Sequence, residues 1–167
     1  NEMLKKMVKS GIKWLALGIE SSSKHVRDGV VKGRFNNYDI EGIVKKVRDM
    51  GFFVGANYIF GLPGDTKESM QKTLDLSFEL CTLGWNGYAA MALPGSELYK
   101  DALEKGYNLP SDYEGYSFHS YNTLPLPTKS LEPFEILKFF NLSSSSILLN
   151  LKIIFLIGLL TISLRET

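Results

Sequence analysis

An apolar stretch that runs into a glycine-rich turn constrains the fold of this chain more than any other feature. Residues 52–60 are almost all apolar or aromatic without strict alternation, which is typical of a parallel strand covered on both faces. Residues 61–66 then provide two glycines, a proline and two side chains able to cap a helix. Because α/β folds bind ligands at the carboxyl ends of parallel strands, this turn predicts a small-molecule site.

The same strand, turn and helix pattern occurs three times. Strands are predicted at 12–19, 52–60 and 87–93, and helices at 1–10, 24–33, 38–50, 67–83 and 96–103. This order predicts an α/β fold with a parallel sheet. A complete TIM-like barrel needs roughly 200 residues or more, so residues 1–105 are expected to be the second half of a barrel whose first half precedes Asn1.

Two further segments follow the repeats. Residues 106–140 are rich in aromatic residues and are expected to cross a surface or a cleft, with a helix beginning at 132–140. Residues 141–167 form an atypical apolar tail with three open interpretations: a membrane segment, a buried terminal helix, or the product of a lost reading frame. The charge-free run 153–163 is only about half of the roughly 20 residues that span a bilayer, so a membrane partner is not expected.

Composition restricts the partners and the compartment. A formal charge of +1 gives no sign of a nucleic-acid partner. The single cysteine, Cys81, excludes an internal disulfide framework and a metal site built from this chain's cysteines alone, and it fits a reducing, cytoplasmic location. Cys81 lies on a predicted helical stripe, where we interpret it as a core residue.

Three segments of the chain resemble one enzyme family. They are Trp14-Leu-Ala-Leu-Gly-Ile-Glu-Ser21 with Lys32-Gly33, then Asn57-Tyr-Ile-Phe-Gly-Leu-Pro-Gly-Asp-Thr66, and Ala90-Met-Ala-Leu-Pro-Gly-Ser-Glu-Leu-Tyr99. Together they resemble the second half of a radical S-adenosylmethionine (radical SAM) enzyme core, and in particular the group that carries a cobalamin-binding domain. The resemblance covers about residues 11–139.

The resemblance implies a partial TIM-like (β/α)6 barrel, of which this chain holds the last three βα units. It also implies reductive cleavage of S-adenosylmethionine (SAM) at a 4Fe-4S cluster, radical chemistry on a small-molecule or biosynthetic-intermediate substrate, and possible use of cobalamin. The family binds the cluster through a Cys-x3-Cys-x2-Cys loop that is absent here. The missing N-terminal half is therefore the expected partner, and this chain alone is not expected to catalyse.

The resemblance also assigns six cofactor-binding residues. Glu20, at the end of the fourth barrel strand, would accept hydrogen bonds from the ribose or the amino group of SAM, or else cap the neighbouring serines. Ser22 is a secondary contact. Lys32 would reach a carboxylate of substrate or cofactor, or is an ordinary cation at a helix end.

The other three assigned residues are Ile59, Gly61 and Leu93. Ile59 and Gly61 match the family's fifth-strand pattern Gly-x-Ile-x-Gly-x-x-Glu, which packs isoleucine near adenine and brings the backbone close to it. Asn57 replaces the first glycine of that pattern. Leu93 follows the sixth strand, where the family places backbone groups near adenine. Plain core packing or a simple strand-to-helix turn stays open as an alternative for these positions.

A second class of function also stays open. The chain could be a stand-alone α/β module that binds a nucleotide or a protein, with phosphate held at the helix N-termini that follow residues 61–66 and 94–96. Neither loop contains Lys or Arg, and there is no Gly-x-Gly-x-x-Gly element. His119 is either an acid–base group or a structural residue of its aromatic loop.

Overall fold

The computed structural model describes residues 2–30, 39–80, 82–118, 120 and 122–143. Three parallel strands form an open sheet in the order β1-β2-β3: β1 (Trp14–Glu20), β2 (Phe53–Phe60) and β3 (Gly84–Ala89). The helices are α1 (Glu2–Lys9), α2 (Lys24–Val30), α3 (Ile40–Asp49), α4 (Lys67–Leu80) and α5 (Glu97–Glu104). Residues 133–143 are also helical and are called the terminal helix below. The predicted α/β class with three parallel strands is confirmed, and it is consistent with part of a radical SAM barrel.

The two faces of the sheet differ. The buried face of β2 consists of residues that are at most 1% exposed, namely Val54, Ala56, Tyr58 and Phe60. The alternate residues, Phe53, Gly55, Asn57 and Ile59, are exposed or half-buried. The prediction that this strand is covered on both faces is therefore wrong within the described part of the chain, because only one of its faces is fully buried. The other side is called the open face below.

Strand β3 begins and ends earlier than predicted. It covers Gly84–Ala89 instead of 87–93, and Gly84 pairs with Gly55 of β2. A Cβ on Gly84 would lie 3.1 Å from the Gly55 Cα, so the two glycines allow a close approach. The sequence Gly-Trp-Asn-Gly has turn chemistry, but pairing with β2 overrides that local preference.

Helix caps place the starts of α4 and α5 just after the carboxyl ends of β2 and β3. Before α4, the Ser69 N–H donates to Thr66 Oγ1 (3.2 Å) and the Thr66 N–H donates to Ser69 Oγ (2.9 Å). Before α5, Ser96 Oγ accepts from the Tyr99 N–H, as predicted. These bonds, which are reciprocal at Thr66 and Ser69, satisfy N–H groups that a helix leaves free at its start.

The segment after α5 packs against the sheet. The Leu126 N–H donates to the carbonyl of Ala90 (3.0 Å), which follows β3, and Leu126 is buried. The terminal helix buries Ile136 completely and packs Phe139 against Phe60, with ring centroids 5.6 Å apart. The predicted helix at 132–140 is confirmed, whereas the crossing of a surface or a cleft by residues 106–140 stays a prediction.

Several predictions concern residues outside the described part of the chain. They include the three interpretations of the tail after residue 143 and the roles proposed for Lys32, Cys81 and His119. Among the residues that are described, no helix combines the length and the apolar character needed to cross a membrane.

Candidate cofactor-binding edge

Glu20 ends β1 in a strained backbone conformation. Its φ is +64°, and it is the one non-glycine residue with positive φ among the described residues. The pairing register with β2 shifts between Gly18 and Glu20, which marks an irregularity at the end of the strand. A left-handed backbone is uncommon outside glycine, and such strain is concentrated at functional sites.

The Glu20 side chain turns back over the sheet. A Cβ on Gly18 would lie 2.5 Å from Glu20 Oε1, so the absence of a side chain at position 18 makes room for the carboxylate. The carboxylate is half-buried, and this burial raises the pKa of Glu20 above its ordinary value of 4.5. No described residue donates a hydrogen bond or forms an ion pair with it.

The serines after Glu20 are held by other groups. The Ser21 N–H donates to the Ile19 carbonyl, the Ser22 N–H to Thr73 Oγ1 (3.0 Å) and the Ser23 N–H to Ser21 Oγ (3.1 Å). The alternative in which Glu20 caps its neighbouring serines is therefore wrong. The Ser22 hydroxyl also lies 3.2 Å from Thr73 Oγ1, which gives Ser22 an anchoring role. Its predicted contact with a cofactor stays a prediction.

A buried arginine completes the anchor of this loop. Arg27 on α2 is 8% exposed, and its Nη1 donates to the carbonyls of Ser21 (2.5 Å) and Ser22 (2.9 Å). Together with Thr73, which is 1% exposed, it fixes the backbone directly after Glu20. Sequence reasoning missed both anchors, because neither a helical arginine nor a helical threonine signals burial by its type.

The loop after β2 is fixed by Asp65. Its Oδ2 accepts from the N–H groups of Gly61 (3.1 Å) and Leu62 (3.0 Å), and its Oδ1 accepts from Ser69 Oγ. Burial raises the pKa of Asp65, while these hydrogen bonds act in the opposite direction. A Cβ on Gly61, whose φ is +80°, would lie 2.7 Å from Ile136 Cγ2. Gly61 therefore makes room for the terminal helix, and its predicted closeness to adenine stays a prediction.

The remaining assigned residues lie at the same edge. Ile59 is half-buried on the open face and packs against Val26, Leu62 and Ala90. Leu93 is 39% exposed, and its carbonyl accepts from the Ser96 N–H (3.0 Å) and Ser96 Oγ (2.7 Å). Parallel strand order thus brings Glu20, Ser22, Ile59, Gly61 and Leu93 to one edge of the sheet. Lys32 lies outside the described residues.

This chain does not fit a 4Fe-4S cluster. Three thiolates are needed in the family's loop, and the sequence contains one cysteine. Within the part of the chain that the structure describes, no group of three or more His, Cys, Asp or Glu residues could hold a metal ion. This chain can therefore supply contacts to SAM but no ligand set for the cluster.

A cavity of about 590 Å³ lies elsewhere, between α3 and α4. It is lined by polar and charged side chains that include Asp39, Lys45, Arg48 and Glu79. This position is on the helical layer, behind the buried face of the sheet. The polar groups at the carboxyl edge, not this cavity, are the candidate site, because α/β folds bind ligands at that edge.

Comparisons with known proteins agree with this geometry. The cytidylyl-2-hydroxyethylphosphonate methyltransferase of Streptomyces wedmorensis is 27% identical over 117 residues, an alignment that covers 66% of this chain and 22% of that protein. The chain thus spans about a fifth of the length of this curated relative. The model of the Radical SAM superfamily matches residues 1–77, which include β1, Glu20, β2 and most of α4. Over these residues the chain is similar to the Radical SAM superfamily, as its motifs indicated.

Proposed function

We propose that this chain supplies the SAM-binding carboxyl edge of a radical SAM enzyme, with the Glu20 carboxylate accepting from the ribose hydroxyls or the amino group of SAM. The single observation that carries the proposal is the Glu20 carboxylate, which is half-buried over Gly18 on a strained backbone without a described partner. The parent enzyme would cleave SAM reductively at a cluster whose ligands lie outside this chain.

The electrostatics of Glu20 support this role. A carboxylate removed from water without a donor is destabilised, as the raised pKa of Glu20 indicates. A hydroxyl or an ammonium group would supply the absent hydrogen bonds and stabilise the charged form. Arg27 and Thr73 fix the loop after Glu20 before any ligand binds. This preorganisation reduces the conformational entropy that is lost on binding.

The proposed partner is a segment that continues the sheet. Strand β1 pairs with β2 along one edge, and its other edge has no partner strand among the described residues. Unpaired strand edges offer N–H and C=O groups to a further strand. We assign this edge to the first half of the parent barrel, which would also bring the cluster ligands. A cytoplasmic location, inferred from the single cysteine, remains part of the proposal.

The proposed reaction class is methyl transfer to a small molecule. The name of the Streptomyces wedmorensis relative, a methyltransferase, supports this class. Cobalamin would be a further cofactor of the parent enzyme, as the resemblance to the cobalamin-associated group implies. No residue of this chain is assigned to cobalamin.

The structure gives little support to the phosphate-binding module. Four of the N–H groups that such a module would offer are already used: those of Gly61 and Leu62 donate to Asp65, and those of Ser69 and Tyr99 donate to the capping side chains. The Asp65 carboxylate would also repel a phosphate.

The proposal is tested by equilibrium dialysis of radiolabelled SAM against the full chain. We expect saturable binding that Glu20→Gln weakens about tenfold, since a hydrogen bond to a charged group contributes about 1.5–3 kcal/mol. Glu79→Gln, at an exposed carboxylate on α4, is the matched control and should leave the affinity unchanged. Equal affinity in a folded Glu20→Gln variant, or displacement of SAM by inorganic phosphate, would contradict the proposal.

A further inference from the structure

Two asparagines face each other in the middle of the sheet. Asn57 of β2 pairs in register with Asn86 of β3, and Asn86 Nδ2 donates to Asn57 Oδ1 (2.9 Å). Asparagine is depleted in strands, so two of them in one register row contradict local preference. Such contradictions are expected at functional sites.

The pair retains hydrogen-bonding capacity toward the open face. One amide NH₂ of the pair donates to the other amide's oxygen, which leaves a free NH₂ on Asn57 and a free oxygen on Asn86. If both side-chain amides are rotated by 180°, Asn57 presents the free oxygen and Asn86 presents the free NH₂. Either assignment leaves one free donor and one free acceptor. The pair therefore presents a donor beside an acceptor, with Asn57 half-buried and Asn86 exposed.

Glycines leave space beside this pair. The nearest register row on the same face is Gly55 and Gly84, whereas Gly18 of β1, which pairs with Asn57 on the other side, lies beneath the Glu20 carboxylate. A Cβ on Gly55 would meet no atom within 4 Å, so the face is open above the backbone there. Glycine inside a strand often marks the close approach of a ligand.

Aromatic rings flank this space at both ends. Trp14 and Phe53 lie toward the amino end of the strands, with ring centroids 5.2 Å apart. Tyr88, which pairs with Ile59, lies toward the carboxyl end and contacts Phe118 at 4.7 Å. The open face thus has a glycine floor, an amide pair and two pairs of rings, an arrangement suited to a flat ligand with one polar edge.

We propose that the Asn57–Asn86 pair binds the substrate of this enzyme through a planar amide-type edge, in which a hydrogen-bond acceptor lies beside a donor. A carboxamide and an aminopyrimidine base both carry this edge. The inference rests on the proposed function in one respect, because it takes the open face to be the substrate side of the sheet. The amide pair uses none of the groups assigned to SAM.

The test measures binding of nicotinamide and cytidine to the isotope-labelled full chain by NMR. We expect both the Asn57 and the Asn86 side-chain NH₂ signals to shift on addition of at least one probe. The double variant Asn57→Leu/Asn86→Leu keeps the side-chain size and should weaken binding at least about fivefold, since a neutral hydrogen bond contributes about 1 kcal/mol. Asn108→Leu, at an exposed loop position, is the matched control.

Ligand analogues test the same edge without changing the protein. N,N-dimethylnicotinamide and the cytidine analogue without the 4-amino group lack the donor, and each should bind more weakly than its parent. Tighter binding of cytidine would indicate that the substrate group bound by the pair is an aminopyrimidine base. Tighter binding of nicotinamide would indicate a carboxamide. Equal binding of parents and analogues, or no binding of either probe up to its solubility limit, would overturn the proposal.

Cross-checks separate this proposal from the SAM proposal. The double asparagine variant should bind SAM with unchanged affinity, and Glu20→Gln should bind the probes with unchanged affinity. Loss of SAM binding in the double variant would place the pair in the cofactor site and overturn the substrate assignment. Probe binding without any SAM binding would overturn the cofactor role of Glu20 and leave the amide pair in place.

Discussion

The Glu20 carboxylate occupies the space above Gly18, two residues earlier on the same strand: a Cβ at position 18 would lie 2.5 Å from Glu20 Oε1. The conformation of the carboxylate thus depends on a glycine that contacts no ligand itself. We expect Gly18→Ala to displace the flexible carboxylate, with a change of less than about 1 kcal/mol in unfolding free energy but about a tenfold loss of SAM affinity. Urea unfolding and dialysis measure the two effects; unchanged SAM affinity would show that this placement is unimportant.

The pH dependence of SAM binding follows from the raised pKa of Glu20. Binding needs the carboxylate, so SAM affinity should rise with pH through a midpoint above the ordinary value of 4.5. Stability has the opposite sign, because a raised folded pKa favours the protonated folded state: the contribution of Glu20 is present below about pH 4.5 and is lost as pH rises through the folded pKa. Glu20→Gln should remove both dependences, as unfolding and dialysis at several pH values would show.

Relief of backbone strain at position 20 should separate stability from function. Glu20→Gly removes both the positive-φ strain and the half-buried carboxylate, so we expect the free energy of unfolding to rise by about 1 kcal/mol. The same variant should lose SAM binding. Glu20→Gln keeps the strained backbone and serves as the control; if both variants have the same stability, backbone strain at this position is negligible.

Gly61 and Ile136 should be energetically coupled. Gly61→Ala introduces a side chain at φ +80° and 2.7 Å from Ile136 Cγ2, so we expect it to destabilise the chain by about 2 kcal/mol or more. Ile136→Ala removes the obstructing atoms and should reduce the additional cost of Gly61→Ala in a double-mutant cycle. Additive effects in urea unfolding would contradict the contact between the turn and the terminal helix.

Thr73 should hold the loop that follows Glu20. Thr73→Val keeps the shape but leaves the Ser22 N–H without its acceptor, which we expect to cost about 1–3 kcal/mol of unfolding free energy. SAM affinity should fall as well, because the loop is no longer fixed. Thr128→Val is the control, because Thr128 accepts from the Leu131 N–H at a site far along the chain. We expect this variant to lower the free energy of unfolding and to leave the SAM affinity unchanged.

Sequence reasoning predicted the three strands, their parallel arrangement and the helix caps at Thr66 and Ser96. It did not predict the cap at Asp39. It placed β3 three residues too late, since Gly84-Trp-Asn-Gly87 has turn chemistry and only the in-register partner Gly55 makes it a strand. It also missed that β2 has an open face, because Phe53 and Ile59 are as apolar as their buried neighbours. The strain at Glu20 and the burial of Arg27 depend on tertiary contacts and leave no periodic signal.

The most direct test of the central claim is a measurement of the pKa of Glu20. Carboxyl ¹³C NMR of the full chain would give this pKa with and without saturating SAM. We predict a raised pKa in the free chain and a fall on addition of SAM, because donors from the ligand stabilise the carboxylate. A Glu20 titration that saturating SAM leaves unchanged would contradict its role as the cofactor-binding carboxylate.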